Sequence, residues 1–288
     1  MTRRLRVPLA ALAALAVAVA GCAPAPLIFR VEPGLPSAAE PGRLDDYASA
    51  VRTLAGIMVA ELGLPLPRDL TVIVYPSRAA YARGLPDMIE LTPPQAGRTA
   101  KHSVGLGQHR RLFINDEALR GARPAARLGV VAHELTHVAQ YELSGGRRGR
   151  SEQWLREGMA EWVAGWMIER LGEGTFLGER DAAVRALAQD RWALEAEPLG
   201  LEELGRPWGW EARRRRAGDH LPYRLAFLLT DALIRRHGLG SLLAYFRSFA
   251  EVDDRFGNFR RAFGLSLEVF ESEALGRIRA ELALDSDP

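Results

Sequence analysis

One cysteine, Cys22, occurs in 288 residues, so no disulfide framework can form within the chain. Lysine is as scarce: Lys101 stands alone among 38 basic residues, a bias of composition rather than a lipid or phosphate site. Acidic residues number 36, and a formal net charge of +2 lacks the basic excess that nucleic-acid binding would call for. No internal repeat stands out. The apolar run from Val7 to Ala20 is too short to span a bilayer comfortably. What the chain does have is apolar material: 48% hydrophobic residues over this length can build a substantial core, as one unit in two lobes.

The start of the chain reads as an export signal. Arg3, Arg4 and Arg6 precede the run from Val7 to Ala20, which supplies the basic and apolar parts of a secretory peptide over residues 1–21. Its removal would take three positive charges and leave 2 − 3 = −1. Val19-Ala20-Gly21-Cys22 resembles a bacterial lipobox, in which cleavage exposes the cysteine for lipid attachment, and Cys22 has no other thiol to pair with. Residues 22–42, rich in Pro and Ala, then read as a tether between membrane and folded protein. The expected location is a bacterial membrane, facing the periplasm or the exterior. Ala23 is not the aspartate associated with inner-membrane retention, which leaves an outer-membrane destination open.

The densest chemistry lies at His133-Glu134-Leu135-Thr136-His137. Residues four apart on a helix share a face, with Cβ atoms about 5–6 Å apart, so two imidazoles at this spacing can meet one ion. Val130, Val131, Ala132, Leu135, Val138 and Ala139 surround them with apolar side chains, as in a helix buried on most sides. Charged and polar groups there are costly to bury unless they are paired or bind metal. Glu157, in Trp154-Leu155-Arg156-Glu157-Gly158-Met159-Ala160-Glu161, offers a third ligand. Three protein ligands leave a catalytic zinc a position for water.

On these two segments the chain resembles the gluzincins, metallopeptidases in which HExxH is completed by a downstream glutamate. Nineteen residues lie between His137 and Glu157, and Arg156-Glu157-Gly158-Met159-Ala160 matches the Asn-Glu-Gly-Phe-Ala-like segment of the aminopeptidase branch. The resemblance implies His133, His137 and Glu157 as ligands of one zinc ion and Glu134 as general base. Glu161, one turn beyond Glu157, takes the place of the carboxylate that orients a ligating histidine. It also implies an oxyanion donor from the helical half, Tyr223 first and His220 second. A strand beside the metal helix would present an open edge to an extended peptide, and Ser103 to Leu106 is the candidate. Asn258 to Leu267 resembles the closing portion of bacterial peptidase-MA-like domains.

Along the rest of the chain, Tyr47, Val51, Leu54, Met58 and Leu62 fall at helical intervals before Gly63. Thr71 to Tyr75 reads as a strand ended by Pro76, and Ser103–Leu106 with Arg111–Ile114 reads as a hairpin. Pro124 suits the first turn of the metal helix and Gly145-Gly146 its end, while the Glu157 helix should run from about Ser151 to Leu171. Helices are also expected at Asp181–Arg191, Tyr223–His237, Ser241–Ala250 and through Leu267, Phe270, Ala274, Ile278 and Leu282. Arg206 to Trp210 reads as irregular and Arg213 to Arg216 as a solvated loop.

These readings give an α+β fold of zincin type: residues 43–146 a lobe with a small antiparallel or mixed sheet and the active-site helix, residues 147–288 a mainly helical lobe carrying the third ligand. The expected activity is zinc-dependent hydrolysis of peptide bonds in peptide or protein substrates. Endopeptidase action is favoured, because no Gly-Ala-Met-Glu-Asn-like amine-binding stretch precedes His133. The alternative is an envelope lipoprotein that keeps the scaffold for binding or assembly.

Overall fold

The computed structural model describes residues 27–31, 46–89, 91–189, 200–218 and 220–284. Within them a four-stranded mixed sheet is joined to a larger helical assembly. The sheet comprises β1 (Leu27–Val31), β2 (Leu70–Tyr75), β3 (Gly105–Gln108) and β4 (Arg111–Asn115), in spatial order β1-β2-β4-β3. β2 and β4 run parallel, which requires a crossover, and β1 and β3 flank them antiparallel. Residues 27–31 fall inside the segment expected to be a tether. The run Leu27-Ile28-Phe29-Arg30-Val31 is β-prone, and it pairs with β2 from Leu27 opposite Val74 to Val31 opposite Leu70.

The parallel pair is covered on both faces, and side chains alternate between them. Val72, Val74, Leu112 and Ile114 join the main core, while Ile73, Tyr75 and Phe113 face a smaller cluster with Tyr81, Leu85, Ala96 and Ala100. α1 (Tyr47–Leu62) packs on the first side. Asp46 caps it by accepting from the Ser49 amide, and Gly63 ends it at a φ of 63°. The second side is made by α2 (Arg78–Met88) and α3 (Pro93–His102), the crossover helices, which the sequence pattern did not single out. Pro86 inside α2 and the Pro93-Pro94 pair disguise them as loop.

After the short α4 (Asp116–Leu119), α5 (Pro124–Leu143) carries the His133–His137 motif and α6 (Gln153–Arg170) carries Glu157. α7 (Phe176–Gln189), α8 (Leu201–Leu204), α9 (Pro207–Ala217), α10 (Leu221–Ser248), α11 (Arg255–Phe263) and α12 (Leu267–Leu284) complete the described helices. α10 is two helices run together across a kink at Gly238. α9 corrects the expectation of an irregular stretch and a solvated arginine loop. Pro207 starts this helix, and Gly209 is a packing glycine: a Cβ there would lie 2.2 Å from the Glu203 carbonyl oxygen. Arg213 is buried on its inner face.

One apolar core runs through both halves, from Leu54 and Val72 through Leu135 to Trp154, Leu229 and Phe270. It therefore fixes α5 and α6 against each other and against the sheet. Among the described residues, no helix is long and apolar enough to cross a membrane.

Candidate metal centre

α5 starts at Pro124, whose fixed φ and missing amide suit a first turn, and runs 20 residues. Leu128, Val131, Ala132, Leu135, Val138 and Ala139 bury it in the core, leaving His133 and His137 stacked along one remaining stripe. Their rings lie 4.9 Å apart at 80°, and their Nε2 atoms are 3.2 Å apart. α6 lies alongside, and Glu157 Oε2 is 3.4 Å from each of those nitrogens. In a tetrahedron with bonds of about 2.0–2.1 Å, ligand atoms stand about 3.3–3.4 Å from one another. The three donor atoms thus form the base of such a tetrahedron, on side chains only 11–13% exposed, and this group can hold a metal ion.

Each donor is oriented from behind. His133 Nδ1 lies 2.9 Å from Glu161 Oε1, and His137 Nδ1 lies 3.0 Å from Gln140 Oε1. Both acceptors demand a proton on Nδ1, so a neutral imidazole turns its Nε2 lone pair toward Glu157 and a protonated one donates from Nε2 to it. Glu157 Oε1 accepts from Gln153 Nε2 at 2.6 Å, so Oε2 alone faces the imidazoles. The electrostatics follow this geometry. Burial opposes charge on His133, yet hydrogen bonds to Glu157 and Glu161 outweigh it and draw its pKa well above the usual range. Burial likewise pushes Glu157 up, but the charges and hydrogen bonds of His137 and His133 hold it well below an ordinary carboxylate.

Glu134 points to the sheet side of α5, where its Oε2 accepts from the Gly107 amide at 2.7 Å. Its charge bears on both His133 and Tyr223. The approach of β3 to α5 depends on two glycines. A Cβ at Gly107 would sit 2.0 Å from the Glu134 carbonyl oxygen and 2.8 Å from His137 Cβ; one at Gly105 would sit 2.7 Å from Glu134 Cγ. β3 is one of the two edge strands of the sheet, and it lies two residues further along than the Ser103–Leu106 segment expected there. Ser103 instead anchors the strand's entry, with its hydroxyl 2.9 Å from the Tyr81 hydroxyl.

Tyr223, in the first turn of α10, stands with its ring centroid 6.1 Å from that of His133. Trp210 meets it edge-on at 5.1 Å, and the Arg214 guanidinium lies 5.7 Å from its centroid. Burial, then the nearby Glu157 charge, drives its phenol well above the usual pKa, so it remains a proton donor. His220, at the start of the same helix, is exposed and the structure does not bring its imidazole into the cluster. Cys22 and the signal segment lie outside the described residues.

Gln140, Gln153, Gly105 and Gly107 were not singled out in the sequence. The glutamines sit at i+3 from His137 and i−4 from Glu157, one helical turn from each ligand, and that spacing was the available signal. Gly107 falls in the expected turn of the hairpin and Gly105 inside its first strand, and neither position signals a close approach. Compared with protein-family models, curated proteins and solved structures, the chain matches none.

Proposed function

We propose that the chain is a zinc-dependent peptidase in which His133, His137 and Glu157 hold one ion and Glu134 acts as general base. The observation that carries this reading is the triangle of donor atoms with edges of 3.2 and 3.4 Å. Two imidazoles and one carboxylate suit zinc, whereas calcium would take roughly six to eight oxygen ligands. Zinc, when bound, would supply Lewis acidity and lower the pKa of a water toward about 7.

The chain's own side chains divide the remaining work. Glu134, held by the Gly107 amide, accepts the proton of the attacking water and returns it to the leaving amine. Tyr223, kept protonated by burial and by Glu157, donates to the oxyanion of the tetrahedral intermediate. Glu161 and Gln140 keep the two imidazoles in the ligating tautomer. β3, an edge strand beside Glu134, is where an extended peptide would pair, on the backbone groups that Glu134 and Ser103 leave open.

A scaffold that uses its metal only structurally is the competing reading, and the donor set disfavours it. Structural zinc is ordinarily closed by four protein ligands, and among the described residues the metal-ligating group has three. The proposal extends to place through Cys22: a lipid-anchored enzyme outside the cytoplasm. Radiolabelled lipid should enter the wild-type chain and not the Cys22→Ala variant; equal labelling of both would remove the anchor from the account.

Digestion of a peptide library by residues 23–288, which keep β1, with zinc content measured in parallel for wild type and Glu134→Gln, tests the activity. Cleavage by wild type alone, with zinc retained in both, is expected. Equal cleavage by the variant defeats the assigned base.

A further inference from the structure

Gln140 is fully buried, and both ends of its amide are engaged. Nε2 donates to the carbonyl oxygen of Arg156 at 2.9 Å, and Oε1 faces His137 Nδ1 at 3.0 Å. The amide has no freedom to turn over. A backbone carbonyl only accepts, so the NH2 group must face Arg156 and the oxygen must face His137. His137 must then carry its proton on Nδ1, which leaves Nε2 bare.

The same side chain links the two ligand-bearing helices. His137 is on α5, and Arg156 immediately precedes Glu157 on α6. A neutral amide is also the partner here, whereas the corresponding partner of His133 is the carboxylate of Glu161. The two imidazoles are thus oriented by chemically different groups.

We propose that Gln140 is a positioning residue of the metal centre: it locks the ligating tautomer of His137 and, through the Arg156 carbonyl, holds Glu157 at ligand distance from it. This rests on the metal reading above. Removing an oriented outer partner of a metal ligand typically costs roughly 10- to 100-fold in affinity. Gln140→Leu removes both hydrogen bonds at similar volume and should weaken zinc binding by about that factor. Gln140→Met, which keeps the unbranched shape and likewise lacks the donor to Arg156 and the amide oxygen for His137, should lose a similar factor.

The test is competition for zinc against a chromophoric chelator, with thermal unfolding of the zinc-free proteins alongside. Thr136→Val serves as control, since it breaks a buried hydrogen bond of the same helix, from the Thr136 hydroxyl to the Ala132 carbonyl, without touching a ligand. The expected pattern is weakened zinc binding in Gln140→Leu and Gln140→Met and near-normal binding in Thr136→Val. Normal zinc affinity in Gln140→Leu with lowered thermal stability would show a packing role only and overturn the proposal. Should Gln140→Leu fail to fold, wild-type zinc affinity in a folded Gln140→Met overturns it as well. Wild type that binds no zinc would instead remove the metal reading itself, an outcome distinguishable from the others.

Discussion

Two buried carboxylates five residues apart on one stretch of chain make opposite use of burial. Glu152, which precedes α6, is fully buried and meets Arg255 of α11 in a two-pronged ion pair, with Nη2 to Oε2 at 2.8 Å. The same guanidinium reaches the Glu202 carbonyl, and Gly205 leaves room for the pair: a Cβ there would lie 1.6 Å from Glu152 Oε2. Glu157 has one oxygen held by a neutral amide and the other aimed at two imidazole nitrogens. Their pKa values part accordingly. Burial pushes Glu152 up to about 7 even against the pull of Arg255, while Glu157 lies well below the usual range, because two imidazoles outweigh its burial. The difference separates a carboxylate answered by a fixed cation from one whose free oxygen is shared with the ring nitrogens of the candidate metal centre.

Breaking the first should damage the fold and spare the site. Arg255→Met strands a buried carboxylate, which typically costs about 3–5 kcal/mol, and denaturant unfolding should show that loss while zinc affinity per folded chain stays within about threefold. Breaking the second should do the reverse. If each ligand carries roughly a quarter of the ~10–16 kcal/mol seen for four-ligand zinc sites, Glu157→Ala should weaken zinc about 100- to 1000-fold in chelator competition, with the larger part of its stability kept.

A smaller effect belongs to Tyr223. Tyr223→Phe should lower kcat by about 10- to 100-fold, somewhat below the usual effect of an oxyanion donor because a bound metal shares the task, with zinc content unchanged. Full turnover in that variant would take Tyr223 out of the mechanism.

A pH dependence separates the two carboxylates further. Glu152 has a higher pKa folded than unfolded, so between the usual carboxylate range and about 7 the folded chain binds more protons. Its contribution to stability is then fully present at low pH and is lost as pH rises through about 7. Glu152→Gln cannot titrate, so the stability gap between wild type and this variant should narrow from pH 5 to pH 8. A gap that widens would reverse the assigned sign.

The elements with strong periodicity were legible in the sequence. α1, β2, α5, α6 and α12 each show apolar spacing with a Gly or Pro at a boundary, and these place the ligands. What was illegible is where local composition and tertiary packing disagree. α2 and α3 hide behind prolines, β1 sits within Pro- and Ala-rich sequence, and α9 looked broken by a glycine that instead admits the Glu203 backbone. At the site, the order of residues could nominate His133, Glu134, His137, Glu157 and Glu161. It could not show that Gln140 and Gln153 reach back one turn, nor that Gly107 aims Glu134, because those facts depend on how α5, α6 and β3 are set against one another.

The central claim is that Glu157 completes a three-ligand zinc centre with His133 and His137. Zinc stoichiometry after equilibrium dialysis of wild type and Glu157→Ala, with the coordination shell read by X-ray absorption, tests it most directly. The account predicts one zinc per wild-type chain in a nitrogen and oxygen shell with bonds of about 2.0–2.1 Å, and its loss in the variant at micromolar zinc. A wild type that takes up no zinc, or a variant that holds it with an unchanged shell, would contradict the account.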